Sequence, residues 1–206
     1  MNRLLFDVGY EGGLVNLENI CDHLNVDLEY SDEFLFDDIG AEILGRANLF
    51  KRSITIFSHE YIPRMRFTLA HEIGHFILNH DSYIRSESIV QDDLLIRKYD
   101  NDDFEYEKLE IQANLFASCL LLPKNFLFNK LESIRKRLGM KDRGNGYIYV
   151  DDQSCNLMDY TRLVMEVATY FSVSYQAVEY RLKALKILTD KRKSKKFGDI
   201  ARECIG

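Results

Sequence analysis

Three of the chain's five histidines fall within one short stretch, RFTLAHEIGHFILNH, which spans residues 66 to 80. His71 and His75 are four positions apart, so a helix would place both imidazoles on one face, one turn apart. Imidazoles at that separation can both reach one tetrahedral zinc ion at about 2.0–2.1 Å. Glu72 is rotated about 100° around the same helix and could contact a water molecule beside the ion. The pattern is the zinc-peptidase motif HExxH; the competing interpretation is a solvated helix face that carries two histidines.

The rest of this helix constrains where a third ligand can come from. Gly74 lies in an otherwise apolar helix and costs about 0.5–1 kcal/mol relative to alanine, which indicates close packing against the helix backbone. Zinc in a hydrolase needs three protein ligands and one open position. The metzincin pattern supplies its third ligand six residues after His75 but needs a glycine where this chain has Leu78. His80 is instead expected at the helix end, as a structural residue or near the terminal carbonyls.

A second strong helix, predicted from about residue 104 to 122, offers carboxylates for the third position. Glu107 and Glu110 share one of its faces. After Glu110 that face continues with two alanines and Asn114, and small side chains let two helices approach as a shared metal requires. Asn114, one turn past Glu110, is placed to hydrogen-bond a ligand histidine. Glu105 and Glu107 are interpreted as solvated surface charges.

The stretch RFTLAHEIGHFILNH followed by ExxANxFAxxLLLP resembles the ImmA/IrrE family of zinc metallopeptidases. The resemblance is specific over residues 64–123 and weaker over residues 14–60. It implies an α+β fold with a zincin-like metallopeptidase domain, in which a small sheet accompanies the HExxH helix and a glutamate-bearing helix.

The resemblance also implies the roles of individual residues. One zinc ion would be held by His71, His75 and Glu110, a ligand set of the gluzincin type, with other divalent metals as alternatives. Glu72 would be the catalytic base, which takes a proton from the attacking water and passes it to the leaving amine. The family usually has a second acid where this chain has Gln112, but the ligand position is Glu110, so this departure leaves the centre intact.

Several short elements are predicted before the HExxH helix. Residues 16–24 form a helix capped by Asn16, and VDLEY follows as an alternating strand. AEILGR (41–46) and SITIFS (53–58) form two strands joined by a polar turn. SITIFS is our candidate for an exposed edge strand that would hold an extended substrate by strand addition.

Three regions are predicted along the chain. The metallopeptidase domain covers residues 1–138 and closes with a third helix, 124–138, that ends at Gly139. Residues 139–157 form a turn-rich linker or insertion. Residues 158–206 form a helical, helix-turn-helix-like subdomain with a basic tail.

In the last region, two short helices are predicted at about 159–171 and 175–187, separated by SVS, with Ser174 capping the second. One interpretation is a DNA-binding helix-turn-helix. The other is a small helical subdomain that covers the peptidase or docks a partner. We favour the second, because Glu179 would repel phosphates if its helix lay in a groove. The KRKSKK run is interpreted as a solvated tail.

Charge and composition exclude several classes of protein. The net charge of −6 argues against a general nucleic-acid coat. No apolar run approaches the roughly 20 residues of a membrane span, and the N-terminal residues lack the features of a signal peptide. The four cysteines are far apart in sequence and form no CxxC pair. We therefore expect reduced thiols in a cytoplasmic protein that neither inserts into a membrane nor binds DNA by itself.

Two functions follow. The first is a zinc-dependent endopeptidase; the resemblance implies that its protein substrate is a helix-turn-helix transcriptional repressor, whose cleavage relieves repression. The alternative is a non-catalytic, zinc-containing module that binds a repressor or DNA through its C-terminal helices. The two hypotheses differ in whether Glu72 is required.

Overall fold

The computed structural model describes residues 2–36, 40, 42–57, 61–80, 87–90, 104–140 and 146–193, with only the backbone of residues 2, 87–90 and 104–107. These residues form a mixed arrangement of helices and strands, which fits the small metallopeptidase domain that the resemblance implies. The chain divides into two compact units, Met1–Leu121 and Leu122–Gly206. No helix in the described ranges is long and apolar enough to cross a membrane.

The first unit carries one sheet and the two predicted long helices. Its elements are α1 (Asn2–Asp7), α2 (Leu17–Leu24), β1 (Asp27–Ser31), β2 (Leu35–Phe36), β3 (Glu42–Asn48), β4 (Ser53–Phe57), α3 (Ile62–Ile77), β5 (Glu87–Val90) and α4 (Phe104–Leu121). Asn16 caps α2 as predicted, because its side chain accepts a hydrogen bond from the backbone N–H of Asn19 at 2.9 Å. Pro63 lies inside the first turn of α3, a position that proline tolerates.

The strand order shows which strands lie at the edge of the sheet. β4 pairs in parallel with β1 and antiparallel with β3. Residues 45–47 of β3 pair with β4 on one side and with β5 on the other. The prediction that SITIFS forms an exposed edge is therefore wrong. The full burial of Ile54 and Ile56 is compatible with an edge or an interior strand, and only the long-range pairing with β1 decides between them.

The HExxH helix and the glutamate-bearing helix pack against each other at a glycine. A Cβ atom added at Gly74 of α3 would lie 3.2 Å from the Phe116 ring and 3.3 Å from the Cα of Ala113 on α4. This confirms the close approach that the glycine predicted. Because Gly74 has no side chain, the backbone of α4 at Ala113 comes close to the backbone of α3.

The second unit contains three helices that were predicted and one strand pair that was not foreseen. Its elements are α5 (Lys124–Leu138), β6 (Ile148–Val150), α6 (Ser154–Phe171), α7 (Tyr175–Ala184) and β7 (Leu188–Asp190). α5 ends at Gly139 as predicted and packs against α6. β6 and β7 pair in parallel, so part of the expected linker and part of the expected tail form one small sheet.

The turn between α6 and α7 is capped as expected. Ser174 accepts a hydrogen bond from the backbone N–H of Ala177 at 3.1 Å. α6 begins at Ser154, several residues earlier than predicted. The similarity of this helix pair to a DNA-binding helix-turn-helix stays a prediction, and residues 194–206 of the basic tail lie outside the described part of the chain.

Glu179 lies inside the second unit rather than on an outward face of α7. Its side chain accepts hydrogen bonds from the Tyr160 hydroxyl at 3.1 Å and from the Arg192 guanidinium at 3.2 Å, and it pairs with Lys183. Arg192 also pairs with Asp190 at 2.6 Å. The expected repulsion of phosphates by Glu179 therefore does not apply, because its charge is compensated within the unit.

The Glu179 cluster predicts acid sensitivity. Burial raises the pKa of Glu179, but the hydrogen bond from Lys183 and the charges of Lys183 and Arg192 outweigh it, so the pKa lies below its ordinary value of 4.5. The unfolded chain then binds more protons than the folded chain, so this stabilisation is present above about pH 4.5 and is lost as the pH falls further. Urea unfolding of the Glu179→Gln variant should show a free energy of unfolding about 1.5–3 kcal/mol lower at neutral pH. This free energy should also fall less on acidification than that of the unaltered protein. Glu29→Gln, an exposed change on β1, should show neither effect.

Candidate metal centre

Three side chains from α3 and α4 converge at one buried point. The Nε2 atoms of His71 and His75 lie 2.9 Å apart. The carboxylate of Glu110 lies 3.2 Å from His71 Nε2 through one oxygen and 3.4 Å from His75 Nε2 through the other. One ligand atom from each residue lies within 4.8 Å of the other two. The structure therefore brings together all three residues that the sequence analysis named as metal ligands.

The chemistry of these donor atoms suits a cation. His71 Nδ1 lies 2.9 Å from Asn114 Oδ1, and because an amide oxygen only accepts, the His71 proton sits on Nδ1 and the lone pair on Nε2. That lone pair is directed at a carboxylate and at a second imidazole nitrogen, an arrangement that a positive ion between them would stabilise. Two imidazoles and a carboxylate are one of the ligand sets that catalytic zinc sites use.

Burial keeps His75 in the protonation state that a ligand needs. Burial, together with the neighbouring His71 and His80, lowers the pKa of His75 to about 2. The ring is therefore neutral over the physiological range, and neutral imidazole is the form that binds metals. Asn114 contacts His71 as the sequence analysis proposed.

The Glu72 side chain lies against the sheet. It is fully buried, and one carboxylate oxygen lies 3.3 Å from the position that a Cβ atom of residue 45 would take. Gly45 belongs to β3, so the absence of a side chain there makes room for the Glu72 carboxylate. The sequence analysis did not single out Gly45, although a glycine inside the predicted strand AEILGR is a recognised sign of close approach.

Two further polar side chains, His80 and Gln112, make contacts near the cluster that were not predicted. His80 follows the end of α3, as expected, but its buried ring contacts another ring: the two Nδ1 atoms of His80 and His75 lie 2.9 Å apart. The Nε2 atom of His80 lies 3.3 Å from Gln112 Oε1 on α4. Spacing alone gave no sign of this contact, because it depends on how the chain turns after the helix.

Comparison with models of protein families gives a match. The family model of the IrrE N-terminal-like domain, Peptidase M78, matches residues 23–183, which is more than half of the chain. A comparison with curated proteins gives no match. The matched range includes both helices of the cluster formed by His71, His75 and Glu110, and a peptidase family together with this cluster indicates a metallopeptidase. The chain thus belongs to the Peptidase M78 family, the ImmA/IrrE family that its motifs resemble.

Proposed function

We propose that the protein is a zinc-dependent endopeptidase that cleaves a helix-turn-helix transcriptional repressor and thereby relieves repression. The observation that carries the peptidase proposal is the convergence of His71, His75 and Glu110 from two helices, all buried, with their ligand atoms within 4.8 Å of one another. The family match supports the same chemistry. The repressor as substrate rests on the motif resemblance.

Individual side chains have distinct roles in the proposed reaction. A zinc ion, when bound, supplies a Lewis acid that polarises the peptide carbonyl and acidifies water. Glu72 takes a proton from the attacking water and delivers it to the leaving nitrogen. Asn114 holds the His71 ring in the orientation that leaves Nε2 available. Gly45 leaves the space in which the Glu72 carboxylate sits.

The alternative is a non-catalytic, zinc-containing module that binds a repressor or DNA through its C-terminal helices, and its DNA-binding form has less support. Arg181 is buried, and its Nε donates to the backbone oxygen of Leu122 at 3.2 Å. Arg192 pairs with Asp190 and Glu179. These two cations of the C-terminal region are engaged inside the second unit, whereas DNA binding needs cations that reach phosphates.

Incubation with a repressor tests the proposal directly. The zinc-loaded protein is mixed with a candidate helix-turn-helix repressor, and intact-mass spectrometry follows the products. We expect two fragments whose masses sum to the repressor plus one water, and no fragments after the metal is removed with a chelator. A repressor that binds the zinc-loaded protein and stays intact would instead support the non-catalytic module.

Gly45 offers a structural prediction about the catalytic base. In the Gly45→Ala variant the new Cβ would lie 2.6 Å from the Thr68 methyl and 3.3 Å from a Glu72 oxygen, so α3 or the Glu72 side chain must shift. A displacement of about 1 Å can cost on the order of 100-fold in rate, so we expect kcat/KM to fall by about 10- to 100-fold with metal content unchanged. The double variant Gly45→Ala/Thr68→Ser removes the clashing methyl and should recover much of the loss; equal rates for the single and double variants would contradict this explanation.

A further inference from the structure

A row of hydrogen-bonding side chains connects His75 to α4 and has no role in the proposed chemistry. The ring of His80 lies between the other two members: its Nδ1 is 2.9 Å from the Nδ1 of His75, and its Nε2 is 3.3 Å from the Oε1 of Gln112. His75 and His80 are almost completely buried. The backbone turns sharply before His80, because Asn79 adopts a left-handed conformation with φ of 55°, which asparagine tolerates.

The amide end of the row sets the direction of its hydrogen bonds. The Gln112 oxygen can only accept, so His80 donates the proton on its Nε2. A neutral imidazole carries one ring proton, so Nδ1 of His80 has a lone pair and accepts from Nδ1–H of His75. The Nε2 atom of His75 then carries a lone pair, and this is the atom that lies 3.4 Å from the Glu110 carboxylate.

We propose that His80 and Gln112 are positioning residues that fix the tautomer and orientation of His75, so that its Nε2 is ready to bind the metal ion. The inference rests on the proposed function, since it assigns the row a role at that metal centre. His71 is held in the same tautomer by a direct contact from Asn114. Both ligand rings are thus oriented from α4, one directly and the other through His80.

A ligand ring held in this way loses little freedom and moves no proton when the ion binds. Outer hydrogen-bond partners of ligand histidines are worth about 10- to 100-fold in metal affinity. If His80 only filled space, metal affinity would not depend on a hydrogen-bond acceptor at position 112. The two explanations therefore make different predictions for changes at Gln112, whose side chain is exposed and can be replaced without opening a cavity.

The first test needs neither metal nor substrate. Nitrogen-15 NMR of the metal-free protein at about pH 8, where unperturbed imidazoles are neutral, reports which ring nitrogen carries the proton. We expect the proton on Nδ1 of His75 and on Nε2 of His80, and a loss of this preference in the Gln112→Leu variant. A proton on Nε2 of His75 in the unaltered protein would overturn the proposal.

The second test measures zinc affinity by competition with a chelator. We expect a loss of about 10- to 100-fold for His80→Ala and about 10-fold for Gln112→Leu. The Gln112→Glu variant keeps an acceptor oxygen and should bind zinc almost as tightly as the unaltered protein. The exposed neighbour Ile111 supplies the control, Ile111→Ala, which should have no effect.

The outcomes separate the two proposals. Equal affinities for Gln112→Leu and Ile111→Ala would overturn the positioning role while leaving the peptidase proposal intact. An unaltered protein with the expected tautomers that binds no zinc would contradict the proposed function, and with it the role of the row at a metal, although the row itself would be confirmed.

Discussion

Cleavage by the Glu72→Gln variant is expected to be about 10²- to 10⁴-fold slower than cleavage by the unaltered protein, with the metal still bound. The amide has nearly the same shape as the carboxylate and fits the same buried space beside Gly45, so the fold should tolerate it. It cannot, however, take a proton from water. Since the candidate ligands are His71, His75 and Glu110, metal content should not change. Rates of repressor cleavage and metal analysis of the same preparation measure both quantities.

The Glu29→Gln variant controls for the loss of one carboxylate elsewhere, because Glu29 is exposed on β1. It should cleave at the rate of the unaltered protein. In cells, the Glu72→Gln variant should fail to relieve repression although it still binds the repressor. If it relieves repression as well as the unaltered protein does, the peptidase proposal is wrong and the result supports the non-catalytic binding module.

The second large effect is expected at Glu110. Glu110→Ala should weaken zinc binding by more than about 100-fold, beyond the usual range for partners that only orient a ligand. The variant removes the carboxylate of the cluster and leaves two imidazoles, whose Nε2 atoms lie 2.9 Å apart. Chelator competition gives the affinity, and the spectrum of cobalt-substituted protein reports the change in ligand number.

The exposed residue Leu115, on the same helix as Glu110, provides a control for general effects on α4. Leu115→Ala should bind zinc as the unaltered protein does. Retention of tight zinc binding by Glu110→Ala would show that the third ligand lies elsewhere and would remove the geometric basis of the proposed site.

The parts of the site that could be predicted from the sequence are those fixed by helix geometry. His71 and His75 share a face because they are four residues apart, and Asn114 lies one turn from Glu110. These relations do not depend on how the helices pack in the fold. The meeting of the two helices was indicated by Gly74, whose missing side chain brings it close to α4.

The parts that were missed depend on contacts between distant residues. The interior position of β4 follows from its parallel pairing with β1, and periodicity within either strand does not encode such a pairing. The contact of His80 with His75 follows from the left-handed turn at Asn79. A helix pattern ends before that turn, so it carried no information on where the next ring would point.

The pairing of β6 with β7 changes how the end of the chain should be treated in the laboratory. A protein shortened before Leu188 would lose the partner strand of β6 and also Arg192, which pairs with the buried Glu179. The residues that follow α7 look in the sequence like a dispensable basic extension. As far as residue 193, however, they supply the strand β7 and the Arg192 ion pair to the second unit. Trimming for crystallisation or for a C-terminal fusion should therefore begin beyond residue 193.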